Sequence, residues 1–281
     1  ISEFIKYPPL ESKCNFYHNK DTRTISKMPY KMISNNLSSY LEIGPSSFVS
    51  LVGAGGKTTT MFRLAHELSD RGLRVITTTT TAIQMPSKNQ TPFVLTREEI
   101  EQKADYLSEA LEKYRHVTIV GTIARKDKLL GVDFDFLQRV KDIADSVIAE
   151  ADGARHKLIK APAEHEPAVP PYTTHFVAIA SLKALGMPLS EACHRPEEGQ
   201  KLACMDPSLP LTVEAFAKIL GSPLGILKGK PEGIRSYLLL TALSQDNKLE
   251  AEEIARRVVS TNRNGFDLII GVDKEGGLVV L

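Results

Sequence analysis

The residues best equipped for chemistry stand together in Gly53-Ala54-Gly55-Gly56-Lys57-Thr58-Thr59-Thr60. Glycines let a backbone turn tightly and approach an anion, and the N–H groups that open a helix attract negative charge. Lys57 adds a point charge for outer phosphates, and the Thr58 hydroxyl is a ligand type suited to Mg²⁺. Gly53, Ala54, Gly55, Gly56, Lys57, Thr58 and Thr59 are therefore expected to hold a phosphorylated ligand, with Lys57 exposed to it. The spacing is short, because the common glycine-to-lysine interval would place its first glycine where Leu51 stands. A glycine-rich turn with a solvated lysine is the plain alternative. Further on, Ser146-Val-Ile-Ala-Glu150-Ala-Asp152-Gly153 is an apolar run that ends in two carboxylates. Strand alternation sends Glu150 and Asp152 to one side, where one can hold Mg²⁺ beside Thr58 and the other can polarise a nucleophile. Which does which stays open.

After the carboxylates come Arg155 and Lys160, cations able to neutralise a transferred phosphate or an acidic second ligand. His165 and Glu166, flanked by prolines, could act as acid, base or substrate contact. Cys193-His194-Arg195-Pro196-Glu197 is a further polar cluster whose Arg195 suits an anion better than its cysteine suits zinc, since close ligand pairs are missing. The threonines from Thr77 to Thr81 offer hydroxyls at the same edge, although threonine runs are also good strand formers.

These groups need a scaffold, and the pattern around them supplies one. Ser47 to Gly53 reads as a strand, and Met61, Leu64, Ala65 and Leu68 recur at helical spacing after the loop. Gly72 suits the end of that helix, and Leu73 to Thr79 returns to a β-branched run. One helix is expected through Ile100, Ala104, Leu107, Leu111 and Tyr114, then strands over 116–121, 146–151 and 174–180. Residues 161–171, with four prolines, should be irregular. Val213 to Leu220 and Ala251 to Val258 read as helices, and 236–243, 267–272 and 278–281 as strands. Such alternation predicts an α/β fold: three layers, a mostly parallel sheet with helices on both faces, and function at the carboxyl ends of the strands.

The chain has 281 residues, 42% hydrophobic and 25% charged, which excludes collagen, disorder and disulfide scaffolds. Lys+Arg 35 against Asp+Glu 34 gives no positive excess for nucleic acid, and no apolar run approaches the roughly 18–20 residues of a membrane helix. Three cysteines without a paired framework fit a reducing, cytoplasmic setting. The opening lacks Met and includes Glu3-Phe4, which a common cloning site encodes, so residues 1–31 are expected to be a tail or cloning-derived leader, poorly ordered, with natural translation starting at Met28 or Met32. Residues 32–281 are then a single domain.

Val52-Gly-Ala-Gly-Gly-Lys-Thr-Thr, the run ending Thr80-Thr81-Ala82-Ile83, Glu150-Ala-Asp-Gly-Ala-Arg, Lys160-Ala-Pro-Ala-Glu-His-Glu-Pro and Cys193-His-Arg-Pro-Glu follow one another between residues 48 and 272. Together they resemble the selenium-dependent hydroxylase accessory protein family, YqeC. The resemblance implies a P-loop NTPase-like protein that supports maturation of selenium-dependent molybdenum hydroxylases, with such an enzyme or its cofactor as partner. Carried over by position, it implies nucleotide on Gly53, Gly55, Gly56, Lys57 and Thr58, in a site lined by Glu150, Asp152, Arg155, Lys160, His165 and Glu166. ATP with Mg²⁺ is the expected cofactor and GTP the alternative; Tyr237-Leu-Leu-Leu-Thr-Ala-Leu-Ser lacks the Asn-Lys-x-Asp with which GTPases read guanine. The expected reaction is nucleotide hydrolysis or phosphoryl transfer. The shortened loop also resembles that of Mur ligases and folylpolyglutamate synthetases, so an ATP-dependent ligase or small-molecule kinase is one alternative. A non-catalytic nucleotide-switched assembly protein or cofactor carrier is the other.

Overall fold

Ser47–Gly53 (β1) is buried at every position, as only an interior strand covered on both faces can be. It leads through a glycine turn into Lys57–Asp70 (α2), and this junction lies near the middle of a nine-stranded sheet. The computed structural model describes residues 36–125 and 128–281, all within one compact unit. The expectation for residues 1–31 lies outside the described residues.

In chain order the helices are α1 (Leu37–Tyr40), α2, α3 (Arg97–Gln102), α4 (Tyr106–Tyr114), α5 (Phe134–Val140), α6 (Leu189–Ala192), α7 (Pro196–Ala203), α8 (Val213–Gly221) and α9 (Lys248–Thr261). The strands after β1 are β2 (Val75–Thr79), β3 (Ala82–Gln84), β4 (Val94–Thr96), β5 (His116–Val120), β6 (Ile123–Arg125), β7 (Lys128–Leu130), β8 (Ser146–Glu150), β9 (Ile159–Lys160), β10 (His175–Ser181), β11 (Cys193–His194), β12 (Arg235–Leu243), β13 (Leu268–Asp273) and β14 (Leu278–Val280). The main sheet runs β14-β13-β12-β10-β1-β8-β2-β5-β4, parallel throughout except for β14.

Alternation along the strands divides the core between two faces. Val49, Leu51, Ile148, Val177 and Ile179 join Met61, Leu64 and Leu68 of α2 on one side. On the other side, Val147, Val117 and Ile119 join Leu107, Leu111 and Phe136 from α4 and α5. Beyond them Phe176, Ala178 and Leu238 join Phe216, Ile219 and Ile254 from α8 and α9. The expected three-layer α/β architecture is the one observed.

Two local expectations change. The single helix read through Ile100 to Tyr114 is two, because Lys103 is extended at φ −136° and ψ 107°. The apolar spacing carried across the break because Ile100, Leu107 and Leu111 all bury in one cluster. The short strands β3, β7 and β6, which form an antiparallel sheet of their own, were not expected, nor was the β9–β11 pair. At two or three residues each, they are too short to show a period.

Candidate phosphate and metal site

The turn between β1 and α2 is built on left-handed glycines: Gly53, Gly55 and Gly56 have φ of 92°, 78° and 141°. At Gly55 a Cβ would stand 2.5 Å from Ser181 Cβ and 2.7 Å from the Leu158 carbonyl oxygen, so no other residue fits without movement. Three bonds pin the turn. Gly53 N–H donates to Asp152 Oδ2 at 3.0 Å, Ala54 N–H to the Ile179 carbonyl at 2.9 Å, and Thr241 Oγ1 to the Gly55 carbonyl at 2.6 Å. The N–H groups of Gly53 and Ala54, expected to hold phosphate, are bonded within the protein, to Asp152 just after β8 and to Ile179 of β10. Gly55, Gly56, Lys57, Thr58 and Thr59 do face open space. At Gly56, α2 begins with no side-chain cap and no acid in its first turn, which leaves N–H groups and the positive end of the helix for an anion.

Lys57 was expected to be exposed, and it is 5% exposed. Its ammonium donates to the Gly53 carbonyl at 2.5 Å and pairs with Asp152 Oδ1 at 3.1 Å. Burial explains the pairing, since an ammonium taken out of water needs a counter-charge. Asp152 Oδ2 is also 3.3 Å from Lys160 Nζ. Lys160, only 1% exposed, continues to the Gly153 carbonyl at 2.6 Å and Glu166 Oε1 at 3.1 Å, and Arg195 Nε donates to Glu166 Oε2 at 2.8 Å. Charges thus alternate from the loop lysine to Arg195. Burial opposes ionisation of Glu166, but Arg195, Lys160 and the Ala163 N–H outweigh it and hold its carboxyl at about 2.

The two carboxylates at the end of β8 have different partners. Glu150 Oε1 accepts from Thr58 Oγ1 at 2.6 Å, and burial pushes its carboxyl above the ordinary range although Lys57 and Thr58 favour the charged form. A hydroxyl and a carboxylate side by side are hard oxygen donors of the kind Mg²⁺ takes, and this ion normally completes its shell with water and phosphate oxygens. Thr58 and Glu150 fit that ion. Asp152 instead pairs with Lys57 and Lys160 and accepts from Gly53 N–H on Oδ2, while its Oδ1 has no hydrogen-bond partner.

A cavity of about 910 Å³ opens in front of these groups. It brings together Lys57, Thr58, Glu150, Asp152, Arg155, Glu166, His194 and Arg195, and the residues from Thr81 to Pro86, of which Gln84, Met85 and Pro86 were missed as site residues. Arg155 is exposed on its rim. Lys160 is buried and His165 is exposed, and neither of these expected site residues lines the cavity. A turn explains the outcome at His165: Glu166 N–H donates to the Ala163 carbonyl at 3.0 Å, which aims Glu166 inward and leaves the two preceding residues outside. Of the threonine run only Thr81 lines the cavity, whereas Thr77 pairs with His116 and Thr118, and Thr78 with the Ile119 carbonyl. Cys193 is buried, its thiol pushed up to about 12 by burial, and Cys204 is exposed. Among the described residues no helix is long and apolar enough to cross a membrane.

Among solved structures, the hydrogenase maturation factor HypB of Archaeoglobus fulgidus is similar at 12% identity and a TM-score of 0.39, over 82% of this chain and 83% of that one. The signal recognition particle 54 kDa protein of Aeropyrum pernix K1, solved in complex with GDP, matches at 14% identity and TM-score 0.37, over 84% of this chain and 43% of its own. The signal recognition particle receptor FtsY of Elizabethkingia anophelis matches at 17% and 0.38, over 84% and 61%. Closer in sequence is the protein named "Uncharacterized protein YqeC" in Escherichia coli (strain K12), 30% identical over 210 residues, which are 73% of this chain and 80% of that protein. The family described as "YqeC protein" matches residues 49–197, a stretch that contains the glycine turn, both β8 carboxylates, Lys160, Glu166 and Arg195. On that match and that identity, the chain belongs to the YqeC family.

Proposed function

We propose that the chain binds a nucleoside triphosphate with Mg²⁺ and hydrolyses it or transfers its terminal phosphoryl group. One observation carries the reading: an uncapped helix start, a left-handed glycine turn, Lys57 and the Thr58–Glu150 pair all face one cavity. The first-turn N–H groups would hold the phosphate oxygens. Lys57 would turn from Asp152 to the outer phosphates, and Lys160 would keep Asp152 neutralised meanwhile. Mg²⁺ held by Thr58 and Glu150 would offset charge on the phosphate oxygens. ATP is the nucleotide we propose, and GTP the alternative. Family resemblance supports a setting in the maturation of selenium-dependent molybdenum hydroxylases, with such an enzyme or its cofactor as client.

Calorimetric titration with ATP and GTP, each with and without Mg²⁺, tests this. The expected result is magnesium-dependent binding of one nucleotide, weakened at least about ten-fold by Lys57→Ala through loss of a charged phosphate contact. Glu150→Gln should remove most of the magnesium dependence. Binding of neither nucleotide, or unchanged affinity in a folded Lys57→Ala variant, would sink the reading.

A further inference from the structure

The glycine turn separates two cavities, and they are unlike. Gly55 and Gly56 border both, but Lys57, Thr58 and Glu150 face only the larger one. The smaller, about 620 Å³, lies across Thr241 and the turn from Asp273 to Gly276. If a nucleotide with its terminal phosphate at Lys57 and Thr58 lays its nucleoside in the smaller cavity, the larger one extends beyond the reacting phosphate. Hydrolysis needs room there for a single water, about 30 Å³. About 910 Å³ is far more than that.

The lining says what the extra space suits. The carboxylates that face it are already matched: Glu150 by Thr58, Asp152 by two lysines, Glu166 by Lys160 and Arg195. Arg155 and Lys157 also face it, and neither has a carboxylate partner among the described residues; the Lys157 ammonium instead meets the Glu191 carbonyl at 2.7 Å. Arg155, His156 and Arg195 hold left-handed backbone at φ of 44°, 60° and 65°. Non-glycine residues adopt that conformation at a cost, and such residues gather where ligands are held. The cavity is also lined by apolar Ile83, Met85 and Pro86, with Thr81, Gln84 and Gln90 among them.

We propose that the larger cavity is a second-substrate site for a small organic anion, a carboxylate or phosphate ester, whose charged head meets Arg155 and whose apolar body lies against Ile83 and Met85. The proposal rests on the phosphate-loop reading for the placement of the nucleotide. Its test is a titration of the whole chain with phenyl phosphate, benzoate and inorganic phosphate, in Mg²⁺ and a saturating non-hydrolysable ATP analogue. One organic anion should bind beside the nucleotide, more tightly than inorganic phosphate, and the tighter of the two organic probes identifies the head group. Arg155→Glu should weaken it about ten-fold or more, and by a larger factor than it weakens the nucleotide analogue. Displacement of the anion by nucleotide, no binding of either organic probe, or an affinity unaltered in Arg155→Glu would overturn the proposal. Should the analogue itself fail to bind, the loop reading fails alone, and anion binding without nucleotide decides the cavity. Binding kept in Lys57→Ala and lost in Arg155→Glu supports it, and the reverse overturns it.

Discussion

Asp152 lies between Lys57 and Lys160 and accepts from Gly53 N–H, so the two lysines can be compared on one carboxylate. Lys57→Ala leaves Asp152 with Lys160 and the backbone donor, and should cost about 1.5–3 kcal/mol of stability, near the value of one charged hydrogen bond. Lys160→Met removes the cation shared by Asp152 and Glu166 from a fully buried position, and should cost about 3–5 kcal/mol, as does breaking other buried pairs. It should also weaken nucleotide binding without touching the ligand, because Lys57 could then leave Asp152 only by stranding it. Urea unfolding of both variants decides; equal losses would mean that Asp152 does not depend on Lys160.

The same turn that presents α2 to a ligand depends on elements distant in sequence. Gly55 fits between Ser181 at the end of β10 and Leu158 before β9, whereas Gly72 has a similar φ of 84° with open space around it. Gly72→Ala should cost about 1 kcal/mol, the price of left-handed backbone alone. Gly55→Ala adds a collision with backbone, and should cost several-fold more and abolish nucleotide binding. Thermal unfolding and titration separate the two; like losses would argue that the turn can move freely. The contrast also shows which features the sequence could reveal. A glycine turn between an apolar run and a helical stripe is local, and so was legible. The packing of Ser181 and Leu158 around it comes from strand order, which no local pattern contains. The different partners of Glu150 and Asp152 were hidden for the same reason, since Lys160 reaches Asp152 from β9.

At the scale of the whole molecule the parallel sheet was legible because its buried strands are long and β-branched, while the small sheets and the cavity wall at Met85 and Pro86 came from segments too short to signal. One consequence of that core reaches global stability. His116, which opens β5, is buried beside Thr77, and its Nδ1 has no hydrogen-bond partner. Burial, with a smaller effect from the His66 charge, holds its imidazole down at about 3. The unfolded chain takes up this proton near the ordinary value of 6.5 and the folded chain does not until about 3. Its contribution to stability is therefore full above about pH 6.5 and is lost as pH falls toward 3. Glu166, held at about 2 against an ordinary 4.5, adds loss in the same direction below pH 4.5. Glu150, raised by burial, acts oppositely, because its folded form favours the proton. Between pH 8 and pH 5, His116 should cost about 2 kcal/mol of unfolding free energy. His116→Phe should remove that part of the slope: its ring would stay beside Phe62 and His66, and Thr77 would keep Thr118 at 2.7 Å. Denaturant unfolding of both proteins at the two pH values measures it, and an identical drop in the variant would place the acid sensitivity elsewhere.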